Sequence, residues 1–249
     1  MDSAHPSVPA ADRFLVSVAT YNERENLAEL VAAVLQQLPY ADILIVDDNS
    51  PDGTGRLADE LAAKDQRIHV LHRAGKLGLG TAILTAMKYA IANGYGFLIN
   101  MDADFSHHPR YLPAMVAKAH DADVVLGSRY IPGGGVRNWP VSRYLISSGV
   151  NFLSRVLLGL WANDVSGGYR CYRIAKLEQL NLDDIWSRGY SFQEELLYRC
   201  RRVGCKLAEV PIIFEDRRVG KSKANVKESA RSLAVLLALA VHALVTPTD

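Results

Sequence analysis

Apolar positions in the first half of the chain follow two alternating rhythms. Phe14–Thr20 (FLVSVAT), Asp42–Asp48 (DILIVDD), Ile68–Leu71, Tyr95–Met101 and Asp123–Gly127 (DVVLG) are short, nearly unbroken apolar runs. Between them, Glu25–Leu38, Thr54–Lys64, Gly80–Asn93 and Pro109–His120 carry apolar residues at helical spacing, with Pro51, Asp52 and Gly53 marking a turn before the second. Runs apolar on both faces suit strands buried in a parallel sheet, and strand–helix alternation is what builds one. The pattern predicts an α/β fold with a mainly parallel sheet flanked by helices. In such sheets ligands bind at the carboxyl ends of the strands. Three of those ends are distinctively polar: Thr20-Tyr21-Asn22-Glu23, Asp47-Asp48-Asn49-Ser50 and Asp102-Ala103-Asp104.

The second half is less regular. Residues 130–140 (YIPGGGVRNWP) hold three consecutive glycines and two prolines and read as a flexible loop. Val141–Leu160 reads as a helix with Arg143, Ser147, Asn151 and Arg155 on a basic and polar side. A helix near Phe192–Val203 and a strand near Lys206–Phe214 follow. The chain divides into a mobile tail over 1–12, one domain over 13–230 with an elaborated C-terminal part, and an apolar helix over 231–249. That last stretch, Ser232–Val245, is short of the ~20 residues that span a bilayer, so it is expected either to pack on the domain or to lie at a membrane interface behind Lys223, Lys227 and Arg231.

Composition narrows the class. The chain has 249 residues, 49% hydrophobic and 22% charged, ordinary for a globular protein with a sizeable core. A net charge of +1 provides no global field for nucleic acid. Three cysteines, Cys171, Cys200 and Cys205, form no C-x-x-C and read as reduced thiols. The first 12 residues lack the plan of a signal peptide. A dinucleotide-dependent dehydrogenase is excluded on motif, because Thr20-Tyr21-Asn22-Glu23 stands where G-x-G-x-x-G would follow the first strand.

The densest chemistry lies in Asn100–Pro109 (NMDADFSHHP). If Asp102 and Asp104 continue a strand, positions i and i+2 point the same way and two carboxylates converge on a point at its end. That suits a hard divalent cation and a phosphate-bearing ligand, although D-x-D alone is also an ordinary acidic turn.

Six segments in order carry more. TYNERENL (20–27), VDDNSPDGT (46–54), GLGTA (78–82), DADFSHHP (102–109), GSRYIPGG (127–134) and NWPVSRYLIS (138–147) together resemble an inverting glycosyltransferase of family 2, of the polyprenol (dolichyl) phosphate mannose synthase type. The resemblance runs from about Phe14 to Lys223. It implies the GT-A fold, a Rossmann-like sheet, and a metal-dependent transfer of mannose from GDP-mannose to a polyprenyl monophosphate.

It also implies residue roles. Tyr21 and Glu23, with Val46 and Asp48, would hold the nucleoside, and Ala19 stands where the family usually has Pro. Asp102, with Ala103 beside it, would position the donor, and Asp104 would bind Mg²⁺ or Mn²⁺. Asp102 and Ser106 complete the metal set, Ser106 lying where some relatives place Gln. Asp102, Asp104 and Arg129 would carry catalysis. Arg129, Arg143 and Ser147 would receive the acceptor phosphate. Arg217, Arg218, Lys221 and Lys223 would form a mobile anion clamp, Lys223 touching the donor. Asp164–Arg170 (DVSGGYR) is a variant of a D-x-T-S-G-F-R segment. A lipid acceptor implies peripheral contact with the cytoplasmic face of a membrane, and a small membrane subunit is an allowed partner.

The same residues have plainer readings. Arg129 suits a surface salt bridge equally well. His107 and His108 read as loop residues or hydrogen-bond donors rather than metal ligands. Glu194 and Glu195 read as first-turn acids, Arg199, Arg201 and Arg202 as a solvated face, and Trp139 and Tyr169 as packing residues, with a border of the lipid path as the alternative for either. Nothing in the sequence separates guanine from uracil, so UDP-glucose or another nucleotide sugar stays an alternative donor. A non-catalytic nucleotide-sugar-binding subunit is the alternative from another class.

Overall fold

The computed structural model describes residues 10–187, 189, 191–215 and 235–241. The predicted alternation holds through the first half. β1 (Phe14–Thr20), α1 (Arg24–Gln37), β2 (Asp42–Asp47), α2 (Thr54–Ala62), β3 (Ile68–His72), α3 (Leu79–Ala92), β4 (Phe97–Asp102), α4 (Leu112–Ala119) and β5 (Val124–Ser128) follow in order. The second half adds β6 (Gly135–Arg137), α5 (Val141–Leu158), β7 (Arg170–Arg173), α6 (Ile174–Leu177), α7 (Phe192–Arg202), β8 (Leu207–Pro211) and β9 (Ile213–Glu215).

Seven strands form one sheet in the order β3-β2-β1-β4-β7-β5-β8, and β6 pairs with β9 in a small second sheet. Every pairing is parallel except those of β7, which runs antiparallel to both β4 and β5. Strand alternation splits the core into two layers. Leu15, Leu44 and Val46 face one cluster with α3 and α7, and Val16, Ile43 and Ile45 face the other with α1 and α4. Each fully buried Leu or Ile contributes about 1.5–3 kcal/mol, so packing on both faces holds the sheet between the two helical layers.

Two sequence expectations change here. The glycine-rich stretch 130–140 is not all loop: Gly135–Arg137 is β6, hydrogen-bonded in register with Ile213–Glu215. The final expected strand is two, β8 and β9, broken at Ile212. At the C-terminus, residues 235–241 are helical, and Leu236 and Leu239 are buried in the α3 and α7 cluster. Leu237 and Val241 are exposed on the same turn pair. The clamp segment with Lys223 lies outside the described residues, as does most of the N-terminal tail. Among the described residues no helix is long and apolar enough to cross a membrane.

Candidate active site

The strand order reverses between β1 and β4, which opens a crevice at their carboxyl ends. Register places Ala19 opposite Val46 on one side and Asp102 on the other. Three predicted site residues thus lie in one row. The side chain of Val46 faces the core, being 1% exposed, so only its backbone and the residues beyond it can face a ligand.

Asp47, to which the sequence reading gave no role, organises the first two loops. Its carboxylate accepts from Thr20 Oγ1 at 2.9 Å, Ser50 Oγ at 2.6 Å and Ser50 N at 3.0 Å. Ser50 Oγ in turn accepts from Asn22 N at 3.1 Å, and Thr54 Oγ1 accepts from Glu23 N at 3.0 Å. The backbone carrying Tyr21 and Glu23 is thereby tied to the loop carrying Asp48. Lys76 sits over the Tyr21 ring at 4.4 Å. Asp48 is not free for a ligand alone: Arg73 Nε lies 2.8 Å from its Oδ1, with both side chains nearly buried. Arg73 Nη2 also donates to Asp48 Oδ2 at 3.5 Å. Burial pushes the Asp48 carboxyl above its ordinary range, with Arg73 pulling against it.

β4 ends at Asp102, so Asp104 is placed by a turn and not by strand alternation. Phe105 takes a left-handed conformation at φ 62°, and Asp104 Oδ1 accepts from both Ser106 N at 3.0 Å and Ser106 Oγ at 2.5 Å. Asp104 and Ser106 are buried, whereas the Asp102 side chain keeps 30% of its surface exposed. His107 lies in the loop, as expected, and its Nδ1 acts as an acceptor. Its Nδ1 accepts from Asp102 N at 3.0 Å, which puts the neutral ring's proton on Nε2. It is held by stacking on Tyr169 at 5.0 Å and by the edge of Phe214 at 5.5 Å.

Arg129 is no surface salt-bridge partner. Its Nε and Nη2 donate to the two oxygens of Asp164 at 2.7 and 2.6 Å, and Nη2 also reaches Ser166 Oγ at 3.0 Å. The pair is buried, with Asp164 fully so. Burial works to lower the Arg129 pKa, and the Asp164 carboxylate more than offsets it, leaving the guanidinium held above its ordinary value. Arg129 lies 5.3 Å from the Trp139 ring, and Arg143 lies 4.0 Å from the same ring. Tyr130 Oη donates to Ser147 Oγ at 2.8 Å. Arg129, Arg143 and Ser147, which are 14 and 18 residues apart along the chain, therefore gather around Trp139 and Tyr130. Trp139 is more than a packing residue, being the platform that both cations share.

The segment Asp164–Arg170 supports this gathering. Asp164 Oδ1 accepts from Gly167 N, and Asn151 Oδ1 from Val165 N and Ser166 N. Arg170, fully buried, donates to the carbonyls of Gly167, Val165 and Gln193. The signal for Asp164 was present as a motif, but nothing in one sequence says which arginine it meets. Glu194 and Glu195 are first-turn acids of α7, as expected, and both are also buried. Glu195 accepts from Ser187 N and from Arg199. Arg201 donates to Leu158 O at 2.6 Å, so the basic run does structural work as well as facing solvent.

Known proteins match the chain over most of its length. The family model described as Glycosyl transferase family 2 matches residues 15–180. The chain is 46% identical over 233 residues to a polyprenol monophosphomannose synthase of Mycolicibacterium smegmatis, covering 92% of this chain and 88% of that one. It is 44% identical over 211 residues to an undecaprenyl-phosphate mannosyltransferase of Micrococcus luteus, covering 85% and 87%. In structure it is similar to a glucosyl-3-phosphoglycerate synthase from Mycobacterium tuberculosis in complex with Mn²⁺, UDP and glucosyl-3-phosphoglycerate. There the TM-score is 0.64 at 18% identity, covering 94% of this chain and 85% of that one, which establishes the GT-A fold. With a family match over residues 15–180 and relatives 44–46% identical over most of its length, the chain belongs to glycosyl transferase family 2 and is a glycosyltransferase.

Proposed function

We propose that this protein transfers mannose from GDP-mannose to a polyprenyl monophosphate, with inversion, giving polyprenyl phosphate β-mannose. The two relatives named as polyprenyl-phosphate mannose enzymes support the sugar and the acceptor class. The observation that carries the reading is the convergence of Arg129 and Arg143 on Trp139 beside Ser147. Two guanidinium groups, one fixed by Asp164, are a receptor for a phosphate monoester.

The donor would lie along the row formed by Ala19, Val46 and Asp102, with Tyr21, Glu23 and Asp48 beside the nucleoside. Asp102, Asp104 and Ser106 offer only oxygen, as a hard cation requires, and no cluster of three or more His, Cys, Asp or Glu exists among the described residues. That set fits Mg²⁺ or Mn²⁺ only if donor phosphate oxygens complete the shell, which couples metal to donor binding. When bound, the ion neutralises charge on the departing diphosphate. The chain's own residues do the rest. Arg129 and Arg143 hold an acceptor that is mostly dianionic at neutral pH, its second pKa being ~6. It therefore needs aiming more than deprotonation. An acceptor oxygen forms the new bond to the anomeric carbon as the bond to the β-phosphate breaks, and GDP leaves. Lys223 would close over the diphosphate. Work at a lipid acceptor places the enzyme peripherally at the cytoplasmic face of a membrane.

Radiolabelled GDP-mannose and a short polyprenyl phosphate, assayed with Mn²⁺ and with chelator, test this directly. Metal-dependent label in the organic phase is the expected result. Label from UDP-glucose instead would overturn the donor, and silence with every nucleotide sugar would overturn the acceptor class.

A further inference from the structure

We propose that Arg73 is a positioning residue for the donor nucleoside, holding the Asp48 carboxylate as a fixed acceptor that selects among bases. The proposal rests on the reading that Asp48 faces that nucleoside, but not on which base the donor carries.

Register brings the two residues together. β2 and β3 run parallel with Asp47 beside His72, and Arg73 N donates to Asp47 O at 2.8 Å, one step past the strand. Arg73 therefore emerges next to Asp48. Its Nε lies 2.8 Å from Asp48 Oδ1, with the two side chains 8% and 9% exposed. Nη2 secures the far side by donating to Thr81 Oγ1 at 2.9 Å. Thr81, in the first turn of α3, donates back to Gly78 O at 2.8 Å, and Gly78 makes the turn before the helix at φ 98°. The loop so anchored reaches the neighbouring wall as well, since Lys76 lies over the Tyr21 ring at 4.4 Å. One loop thus touches both Tyr21 and Asp48.

Fold stability is not a sufficient reason for this pair. Desolvating two charges costs about what their attraction returns, and apolar residues of like volume serve a fold as well. The pair is also incomplete: Arg73 Nη1 is buried and has no hydrogen-bond partner among the described residues. A buried N–H left unmade is costly, and perturbed charges of this kind gather at functional sites.

What the pair supplies is an acceptor that does not become a donor. Burial pushes the Asp48 carboxyl up and Asp47 adds to it, while Arg73, the backbone N–H of Leu77 and Lys76 draw it down. An ionised carboxylate only accepts. Guanine and uracil each offer it a ring N–H, whereas adenine offers a bare ring nitrogen that it repels. Without Arg73, only Lys76 and the Leu77 N–H oppose burial and Asp47. The carboxyl then takes up a proton more readily, and adenine is no longer rejected.

The test is calorimetric titration of the full chain with GDP, UDP and ADP in Mn²⁺, at about pH 6 and about pH 8. Wild type should prefer GDP or UDP to ADP by on the order of 100-fold. Arg73→Gln should lose about 30-fold in affinity for the preferred nucleotide, keep ADP within about 3-fold, and recover part of the loss at the higher pH. Arg73→Lys keeps the charge and loses the fork, so it should restore the rejection of ADP without the full affinity. Thr81→Val leaves both charges in place and decides the matter if Arg73→Gln does not fold; it should cost the preferred nucleotide about 3- to 10-fold. In transfer assays these losses should appear in KM for the donor and not in KM for the lipid phosphate. Folded variants with wild-type selectivity at both pH values would overturn the proposal, as would a wild type that binds ADP as well as GDP and UDP. A wild type that prefers UDP would overturn the guanine donor alone and leave the role of Arg73 standing.

Discussion

The Asp164 carboxylate accepts three hydrogen bonds from one residue, Arg129, through its backbone N at 2.9 Å, Nε at 2.7 Å and Nη2 at 2.6 Å. Backbone and side chain are thus gripped by the same group. The guanidinium cannot search for its target, and it is presented to Trp139 in one orientation. Removing one partner of a buried pair costs about 3–5 kcal/mol, because the other charge stays behind. Asp164→Asn should therefore lower Tm by roughly 6–20 °C at this chain length. It should also lower kcat/KM for the lipid phosphate by about 30- to 1000-fold, while nucleotide affinity holds. Arg129→Lys keeps the charge and loses the fork, so it should share the activity loss. Wild-type kinetics in both variants would mean that the pair is structural only.

Asp104 separates metal chemistry from folding. Its Oδ1 is bound within its own turn by Ser106 N and Oγ. An amide oxygen can accept both bonds, though more weakly than a carboxylate, so Asp104→Asn should leave Tm within about 2–4 °C of wild type, the equivalent of ~1 kcal/mol. Its missing charge should weaken Mn²⁺-dependent GDP binding by on the order of 100-fold, or ~3 kcal/mol. Calorimetric titration of GDP with and without Mn²⁺ reads both halves. Identical affinities for the two proteins would place the metal elsewhere.

The sequence made the parallel half of this fold legible because its strands are buried on both faces and write themselves as unbroken apolar runs. β7 escaped for the opposite reason. Its four residues, Arg-Cys-Tyr-Arg, begin and end in charge, yet it lies between β4 and β5 in the sheet. Arg170 is satisfied by three carbonyls and Arg173 by Asp123 and the end of α4, contacts that no local pattern announces. The same limit governs the site. Asp102 and Asp104 stand out because their spacing is local. The matching of Arg129 to Asp164, and of Arg143 to Trp139, spans loops whose folding alone decides who meets whom.

Glu194 makes stability depend on pH. Burial pushes its carboxyl up to about 7, and its Oε2 finds no hydrogen-bond partner. The unfolded chain ionises this group near its ordinary pKa of ~4.3. Below that value both states are protonated and nothing is lost. Between there and about pH 7 the unfolded state has given up its proton and the native state has not, so stability falls as pH rises. Above pH 7 the loss is complete, at about 3 kcal/mol. Glu194→Gln should therefore match wild type at pH 4 and exceed its Tm by about 6–12 °C at pH 8. A gap that is constant across the range would show that the carboxyl does not titrate there.

Two glycines near the proposed acceptor site should respond oppositely to the same methyl group. A Cβ built on Gly134 meets Ser128 O at 2.5 Å, with Arg129 C at 3.0 Å and Arg129 O at 3.1 Å. All three are backbone atoms, so no rotamer relieves the clash and the peptide of Arg129 must move. Gly134→Ala should cost about 1–3 kcal/mol, and the displaced Arg129 should raise KM for the lipid phosphate more than KM for the donor. Gly149, inside α5, has nothing within 4 Å of its built Cβ. There alanine removes only backbone entropy from the unfolded chain and should stabilise by about 0.5–1 kcal/mol with transfer unchanged. The contrast isolates position from composition. If Gly134→Ala folded and transferred as well as Gly149→Ala, the loop would have slack enough to re-seat Arg129, and the rigidity ascribed to its pairing with Asp164 would be wrong.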